Sequence, residues 1–347
     1  MIIIYWIVVF TLTVSACFAI VFVMLMARKI RHNRLEKRNR EYIENVYPLV
    51  SSYITDAEQF RHRIFSMARP WQKKLLVGIL MDISSKVSSG EERERIAEVC
   101  RLMGVPEQLR RQFGHRQWWK VGEAIRQAGV LRLTELMPEV KAHLSSPVYD
   151  VWATAARTIS LMGRNDALID YLLDHYAVLR RERLIRMTDI LRALTDEDIA
   201  RIEARMDSAP PVLKGLFIDA CAQSRSISAI PMLERLLDSE DREIRARALK
   251  SIAEIGFATR HDKVLELARS DSWVERMHSV RLIRSCSMER GIPLLVELLG
   301  DREWWVRYRA AESLTHFGEV GRSRLMWARE HHPDAFARDM AAQILAG

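Results

Sequence analysis

Residues 292–318, IPLLVELLGDREWWVRYRAAESLTHFG, carry two runs of apolar residues at helical spacing. Leu294, Leu295, Leu298 and Leu299 form the first, and Gly300 and Asp301 interrupt it. Val306, Ala310, Leu314 and Phe317 form the second, and Gly318 stops it. The pattern predicts two short helices joined by a tight turn. Neither is long enough to be stable alone in water, so each needs a neighbour over its apolar face.

The neighbours come from repetition. Pro138, Pro231 and Pro293 each follow an apolar residue (Met137, Ile230, Ile292). Thirteen residues after each Pro stands a β-branched residue: Val151, Ile244, Val306. Twenty-five residues after each stands Gly163, Gly256 or Gly318. The Pro residues are 93 and 62 apart, both multiples of 31. A fixed period of this length is the signature of a solenoid. Pro suits the first turn of a helix, where its missing N–H costs nothing, and Gly suits the left-handed residue after a helix end.

From residue 117 the pattern predicts helix pairs near 119–144, 150–176, 180–206, 211–237, 243–269, 273–299 and 303–330, with a closing helix over 334–346. Asp198, Asp238 and Asp301 stand near the turns, where Asp caps the next helix. Upstream, helices are expected at 55–68, 71–87, 91–103 and 107–113, punctuated by Pro70, the Ser-Ser-Gly at 88–90 and Pro106. Their landmarks are faint, as befits an end cap that needs a polar outer face.

Residues 2–26 contain no charge, Gly or Pro. As a helix they would span about 37 Å at 1.5 Å per residue, enough to cross a bilayer with some tilt. Tyr5 and Trp6 stand where an interfacial anchor would. The net charge is +8, of which residues 28–40 supply +6: Arg28, Lys29, Arg31, Arg34, Lys37, Arg38 and Arg40 against Glu36. This basic block at the end of the apolar run places the following chain in the cytoplasm and the N-terminus outside. It also suits anionic headgroups. Val14-Ser15-Ala16-Cys17 matches a loose lipoprotein cleavage box, but no basic region precedes it and the apolar run continues past it, so an uncleaved anchor is expected. The rest of the chain carries only +2. A solenoid that wraps nucleic acid should be basic along its body, so nucleic acid is not an expected partner. The four Cys (17, 100, 221, 286) are scattered, which predicts free thiols and a reducing compartment.

The order Ile292-Pro293-Leu294 to Leu299, Asp301, Val306-Arg307, Ala310-Ala311, Leu314, Gly318 resembles the HEAT repeat. Residues 230–256 keep the same order, with Ile244-Arg245, Ala248 and Leu249. The 137–163 copy has Trp152 in the Arg slot. In a copy aligned on Val274, Glu275 stands for the Arg, His278 for the Ala and Cys286 for the Gly. The resemblance implies an all-α, right-handed α-solenoid of HEAT-like helix pairs, here preceded by one transmembrane helix. The expected organisation is 1–27 transmembrane helix, 28–47 basic juxtamembrane stalk, 48–116 irregular N-terminal helical cap and 117–347 solenoid. HEAT solenoids are mostly non-catalytic binding scaffolds, and similar single-span bacterial proteins stand beside envelope machinery. The implied function is a membrane-anchored scaffold for protein–protein interactions at the inner membrane, an accessory of envelope or polysaccharide assembly. The alternative is a lyase or modifying enzyme on the same scaffold.

No metal-protease, P-loop or Gly-rich phosphate motif is present. The paired His-Glu ligands of some HEAT-like iron hydroxylases are also missing, and no cofactor is expected. His331-His332 reads as a solvated helix end. In Trp118-Trp119 and Trp304-Trp305, adjacent positions point about 100° apart, so one member of each pair is expected in the core. The second helices of HEAT pairs line the concave face. Aligned there, Arg247, Arg276, Arg281, Arg284, Tyr308 and Arg309 form a basic, Tyr-bearing strip suited to an acidic segment of a partner protein.

Overall fold

The computed structural model describes residues 2–56, 68–87 and 89–346, with side chains from Cys17 onward in the first segment. Helices are the only regular structure among them: α1 (Ile2–Asp56), α2 (Pro70–Lys86), α3 (Gly90–Leu102), α4 (Val105–Phe113), α5 (Trp118–Val130), α6 (Met137–Ala142), α7 (Tyr149–Leu161), α8 (Asn165–His175), α9 (Arg181–Ile190), α10 (Asp196–Met206), α11 (Pro211–Ser224), α12 (Ile230–Arg235), α13 (Arg242–Ile255), α14 (His261–Leu267), α15 (Trp273–Ser285), α16 (Ile292–Glu297), α17 (Trp304–His316), α18 (Gly318–His331) and α19 (Ala335–Ala346). The helices expected from residue 71 onward are all there. Most of the one expected over 55–68 lies outside the described residues. The chain forms two compact units, Met1–Val140 and Lys141–Gly347.

In the first unit, α1 runs straight through Pro48, which would cost an isolated helix about 3 kcal/mol. Val46, Val50, Tyr53 and Ile54 bury one stripe of α1, which packs against α2 and α3 and holds the helix across the proline. Farther back, Trp71 of α2 sits against Tyr42 at 5.3 Å and under the Arg38 guanidinium at 4.0 Å. The expected transmembrane helix is not met among the described residues, where no helix is long and apolar enough to cross a membrane. The apolar side chains described there begin only at Cys17 and give way to charge at Arg28, short of the roughly 20 residues a span needs. Positions 2–16 of the expected span lie outside the described side chains.

In the second unit, α7, α9, α11, α13, α15, α17 and α19 pack in sequence, each against the next, as one layer. The shorter first helices of each pair back this layer. The core repeats with the period: Ile244, Ala248, Leu249 and Ile252 of α13 are buried, and so are Val306, Ala310, Ala311 and Leu314 of α17. The intervening helix α15 buries Glu275, Ser279, Val280 and Ile283 at the same 31-residue offsets. This corrects the alignment on Val274 by one residue. Glu275, fully buried, fills the β-branched slot, and Arg276 fills the Arg slot.

Two backbone features fix the period. Left-handed residues close the second helices at Arg132, Gly163, Arg225, Gly256, Ser287 and Gly318, each a multiple of 31 from the next. Ser287, not Cys286, is therefore the Gly-slot residue of its copy. The second feature is an arginine clamp on the turn between the paired helices. Arg245 donates from Nη1 to the carbonyls of Ser239 (2.7 Å) and Glu240 (3.1 Å). Arg276 does the same to Ser270 (2.8 Å) and Asp271 (3.1 Å), and Arg307 to Asp301 (2.8 Å) and Arg302 (3.2 Å). Arg338 repeats it on His332 (2.7 Å) and Pro333 (3.0 Å). The first residue of each turn also takes the backbone N–H two residues on: Ser239, Ser270, Asp301 and His332 accept from Asp241, Ser272, Glu303 and Asp334. Of the three expected caps, Asp198 forms a capping box with Thr195, while the backbone N–H that Asp301 takes is that of Glu303, the residue before α17. Asp238 instead binds Arg260 and Lys263, and Asp241 caps α13.

The clamps also join neighbouring repeats. Arg245 pairs with Glu275 at 2.7 Å, and Glu275 also accepts from the Ser270 hydroxyl. Arg276 forms a two-point pair with Asp301 at 2.6 and 2.8 Å, and both side chains are almost fully buried. Removing one partner would leave a buried, uncompensated charge. Asp301→Ala should therefore cost about 3–5 kcal/mol in urea unfolding. Arg225 and Ser287 hold a left-handed conformation that only glycine adopts freely. Arg225→Gly and Ser287→Gly should each stabilise by about 1 kcal/mol in the same measurement, and Gly256→Ala should destabilise by a similar amount.

Candidate functional site

The six residues of the expected strip stand on the second helices α13, α15 and α17, but their surroundings are very different. Arg276 does not reach the strip. It is only 6% exposed and is taken up by the clamp and by Asp301. Arg247 lies flat over Gly215, where an added Cβ would meet its guanidinium at 3.3 Å. From there it bonds Asp219 of α11 (2.7 Å) and Glu243 of its own helix (3.0 and 2.7 Å). Arg284 and Arg309 share Glu312, each at 2.7 Å. Burial alone would raise the Glu312 carboxyl, but the two guanidiniums outweigh it and hold it below its usual range. Arg281 has no ion pair among the described residues. Tyr308 stacks on Trp304 with ring centroids 5.2 Å apart, beside the Arg309 guanidinium.

The strip is thus charge-compensated along most of its length. Its partner acids, Asp219, Glu243 and Glu312, stand on the same helix layer. With the register corrected, Arg247, His278 and Arg309 form one row, and Lys250, Arg281 and Glu312 the next. Lys250 was missed in the sequence; the 31-residue offset from Arg281 is the signal that finds it. A cavity of about 300 Å3 opens between α9, α11 and α13, with Ile185, Val212 and Leu216 beside Arg247 and Asp219.

The tryptophan pairs differ from expectation. Trp118, Trp119, Trp304 and Trp305 are all 42–53% exposed. They occupy the first turn of α5 and α17, ahead of the first buried positions, Val121 and Val306. Each pair packs edge-to-face on itself. The basic block on α1 is exposed from Arg28 to Lys37, and Arg38 leans onto Trp71. His331 bonds the Trp327 carbonyl, and His332 accepts the N–H of Asp334, which in turn caps α19 through the Ala337 N–H. No group of three or more His, Cys, Asp or Glu side chains among the described residues could hold a metal ion.

Burial shifts Cys100, Cys221 and His278 strongly. The Cys100 and Cys221 thiols are pushed up to about 12 by burial. His278 falls to about 4, through burial and then the nearby charges of Arg281 and Lys250. A lowered folded-state pKa means that the unfolded chain takes up the proton first as pH falls. The stability due to neutral His278 is therefore complete above about 6.5 and is lost as pH falls towards 4. His278→Gln should flatten this acid limb in urea titrations between pH 4 and 6.5. Alkylation of the native chain at pH 8 should spare Cys100 and Cys221 until the protein is unfolded.

A family model for HEAT repeats matches residues 261–346. No curated protein matches the chain. Among solved structures, Kap95p, whose binding induces the switch loops of RanGDP to adopt the GTP-bound conformation, is similar over 90% of this chain and 52% of its own, at 11% identity and a TM-score of 0.50. Kap121p bound to Ste12p is similar over 87% of this chain and 41% of its own, at 10% identity and a TM-score of 0.49. An engineered protein is similar over 86% of this chain and 98% of its own, at 13% identity and a TM-score of 0.35. The chain spans about half the length of Kap95p and two fifths of Kap121p. At 11% identity the likeness to Kap95p is one of fold alone. The family match covers residues 261–346, and the second unit is an all-helical stack of helix pairs of the solenoid kind.

Proposed function

We propose that the chain is a membrane-anchored HEAT-repeat scaffold that binds other proteins on its cytoplasmic solenoid. The scaffold reading is supported by the unbroken layer of second helices, which offers a long face with exposed Tyr, Trp and Arg, residue types favoured at protein interfaces. The similar Kap95p structure holds RanGDP, which agrees with a protein as the partner class.

The anchor reading rests on one observation above all. Phe18 and every residue from Ile20 to Met26 are large, apolar and exposed on all sides of α1. A helix that is hydrophobic all round is one buried in a larger body or in a bilayer. Continuous with the apolar stretch 2–16, this segment would span the membrane, and the block Arg28, Lys29, Arg31, Arg34, Lys37, Arg38 and Arg40 would sit at anionic headgroups on the inner face. The stalk is stiff rather than a flexible tether, because α1 runs unbroken into its contacts with Trp71. From Arg28 to Tyr42 it would hold the first unit about 21 Å from the apolar segment at 1.5 Å per residue. Confinement to the membrane surface raises the local concentration of membrane-bound partners, which suits an accessory of envelope or polysaccharide assembly.

A reporter active only in the cytoplasm, fused to the C-terminus, should be active, and a reporter active only outside should be silent. The reverse result would sink the anchor topology. Crosslinking in native membranes followed by mass spectrometry should recover other membrane-associated proteins on the solenoid. Recovery of none would sink the scaffold reading.

A further inference from the structure

Helices α13, α15 and α17 lie side by side, and the 31-residue offset puts their side chains into rows. At the centre of the rows is His278. It is 9% exposed, and its Nδ1 has no hydrogen-bond partner. A buried polar atom without a partner is costly unless something supplies one. The charged groups around it divide cleanly. From α13, Arg247 is held by Asp219 and Glu243. From α17, Arg309 is held by Glu312, which also takes Arg284 of α15. On α15 itself, Glu275 is fully buried on Arg245. The buried side chains of α14, which packs against α15, are Val264 and Leu267. Two cations remain. Arg281 has no ion pair among the described residues, and Lys250 reaches Glu254 only at 3.8 Å.

This inference rests on the scaffold reading and specifies its site. We propose that Lys250, His278 and Arg281 seat one carboxylate of an acidic peptide segment from the partner protein, and that His278 takes up a proton from solvent as the carboxylate arrives. The charge logic selects the occupant. Arg281, without an ion pair among the described residues, and Lys250, held only at 3.8 Å by Glu254, flank an imidazole that burial first and their charges second keep neutral while the site is empty. A carboxylate cancels their repulsion and accepts from the new imidazolium N–H. Met277 and Tyr308, one row over, offer an apolar ledge for a neighbouring residue of the same peptide. Tyr308 is braced there by Trp304. The preferred sequence is therefore an acidic residue next to a large apolar one.

The test uses the full chain in detergent micelles, with histidine labelled by carbon-13, and a synthetic peptide of alternating Glu and Leu. His278→Gln assigns the resonance. The peptide should shift the His278 signal and raise its pKa from about 4. Binding should be tighter at pH 5.5 than at pH 7.5, and this pH dependence should vanish in His278→Gln. Arg281→Gln and Lys250→Gln should each weaken binding about tenfold or more while leaving the circular dichroism spectrum unchanged. A Gln-for-Glu peptide should not bind. Inorganic phosphate matching the peptide at equal concentration would overturn the proposal, since the site would then be a general anion site. So would peptide binding that ignores Arg281→Gln, or no binding at all. In native membranes, the double variant Lys250→Gln/Arg281→Gln should lose crosslinked partners. Unchanged partners would overturn this seat while leaving the scaffold reading intact.

Discussion

A turn between two short helices leaves carbonyls that neither helix can satisfy, and here a guanidinium reaches back to take two of them. The clamp recurs at Arg245, Arg276, Arg307 and Arg338. Its position dictates much else. It ties the turn to the second helix, whose buried stripe recurs at the same offsets in α13, α15 and α17. At Arg245 and Arg276 the remaining nitrogens of the fork point to the next repeat and meet Glu275 and Asp301. At Arg307 the guanidinium lies over the Phe336 ring, 5.1 Å from its centroid. One residue type thus closes its own turn and registers its neighbour, a geometry that a planar fork permits and an ammonium does not. Lys214, in the equivalent slot, makes a single bond to the Asp207 carbonyl.

Much of this fold was legible because a 31-residue period makes each copy a check on the others. Helical spacing gave the elements, and Pro, β-branched and Gly landmarks gave the period. The failures came where a landmark's chemistry was replaced but its geometry kept. Glu275 fills an apolar slot because Arg245 and Ser270 supply partners for its buried carboxylate, and the adjacent Val274 diverted the alignment. Arg132, Arg225 and Ser287 adopt the glycine conformation without being glycine. Pro48 lies inside a helix because tertiary packing outweighs local propensity. The exposed tryptophan pairs occupy first turns, where a helical wheel drawn on the whole helix misplaces them.

The strip was less legible, for a different physical reason. A cation's availability depends on which acid stands beside it in space. The decisive acids come from other repeats: Asp219 for Arg247 and Glu312 for Arg284. Reading one helix face shows the cations and hides their partners. The corrected register moved His278 from a small-residue slot into the row of Arg247 and Arg309. It also brought Lys250 level with Arg281. The face expected to be a basic, Tyr-bearing strip is therefore a largely compensated surface, on which Arg281 has no ion pair among the described residues.

The central claim is that the clamp couples each repeat to the next, and hydrogen exchange tests it directly. The Ser272 amide bonds the Ser270 hydroxyl, and the Glu303 amide bonds Asp301 one repeat on. Arg276→Lys keeps the charge but loses the fork that spans both. Exchange should accelerate at both turns together in this variant. Acceleration confined to residues 270–272, with Glu303 as protected as in the native chain, would show that the repeats hold their turns independently and would contradict the claim.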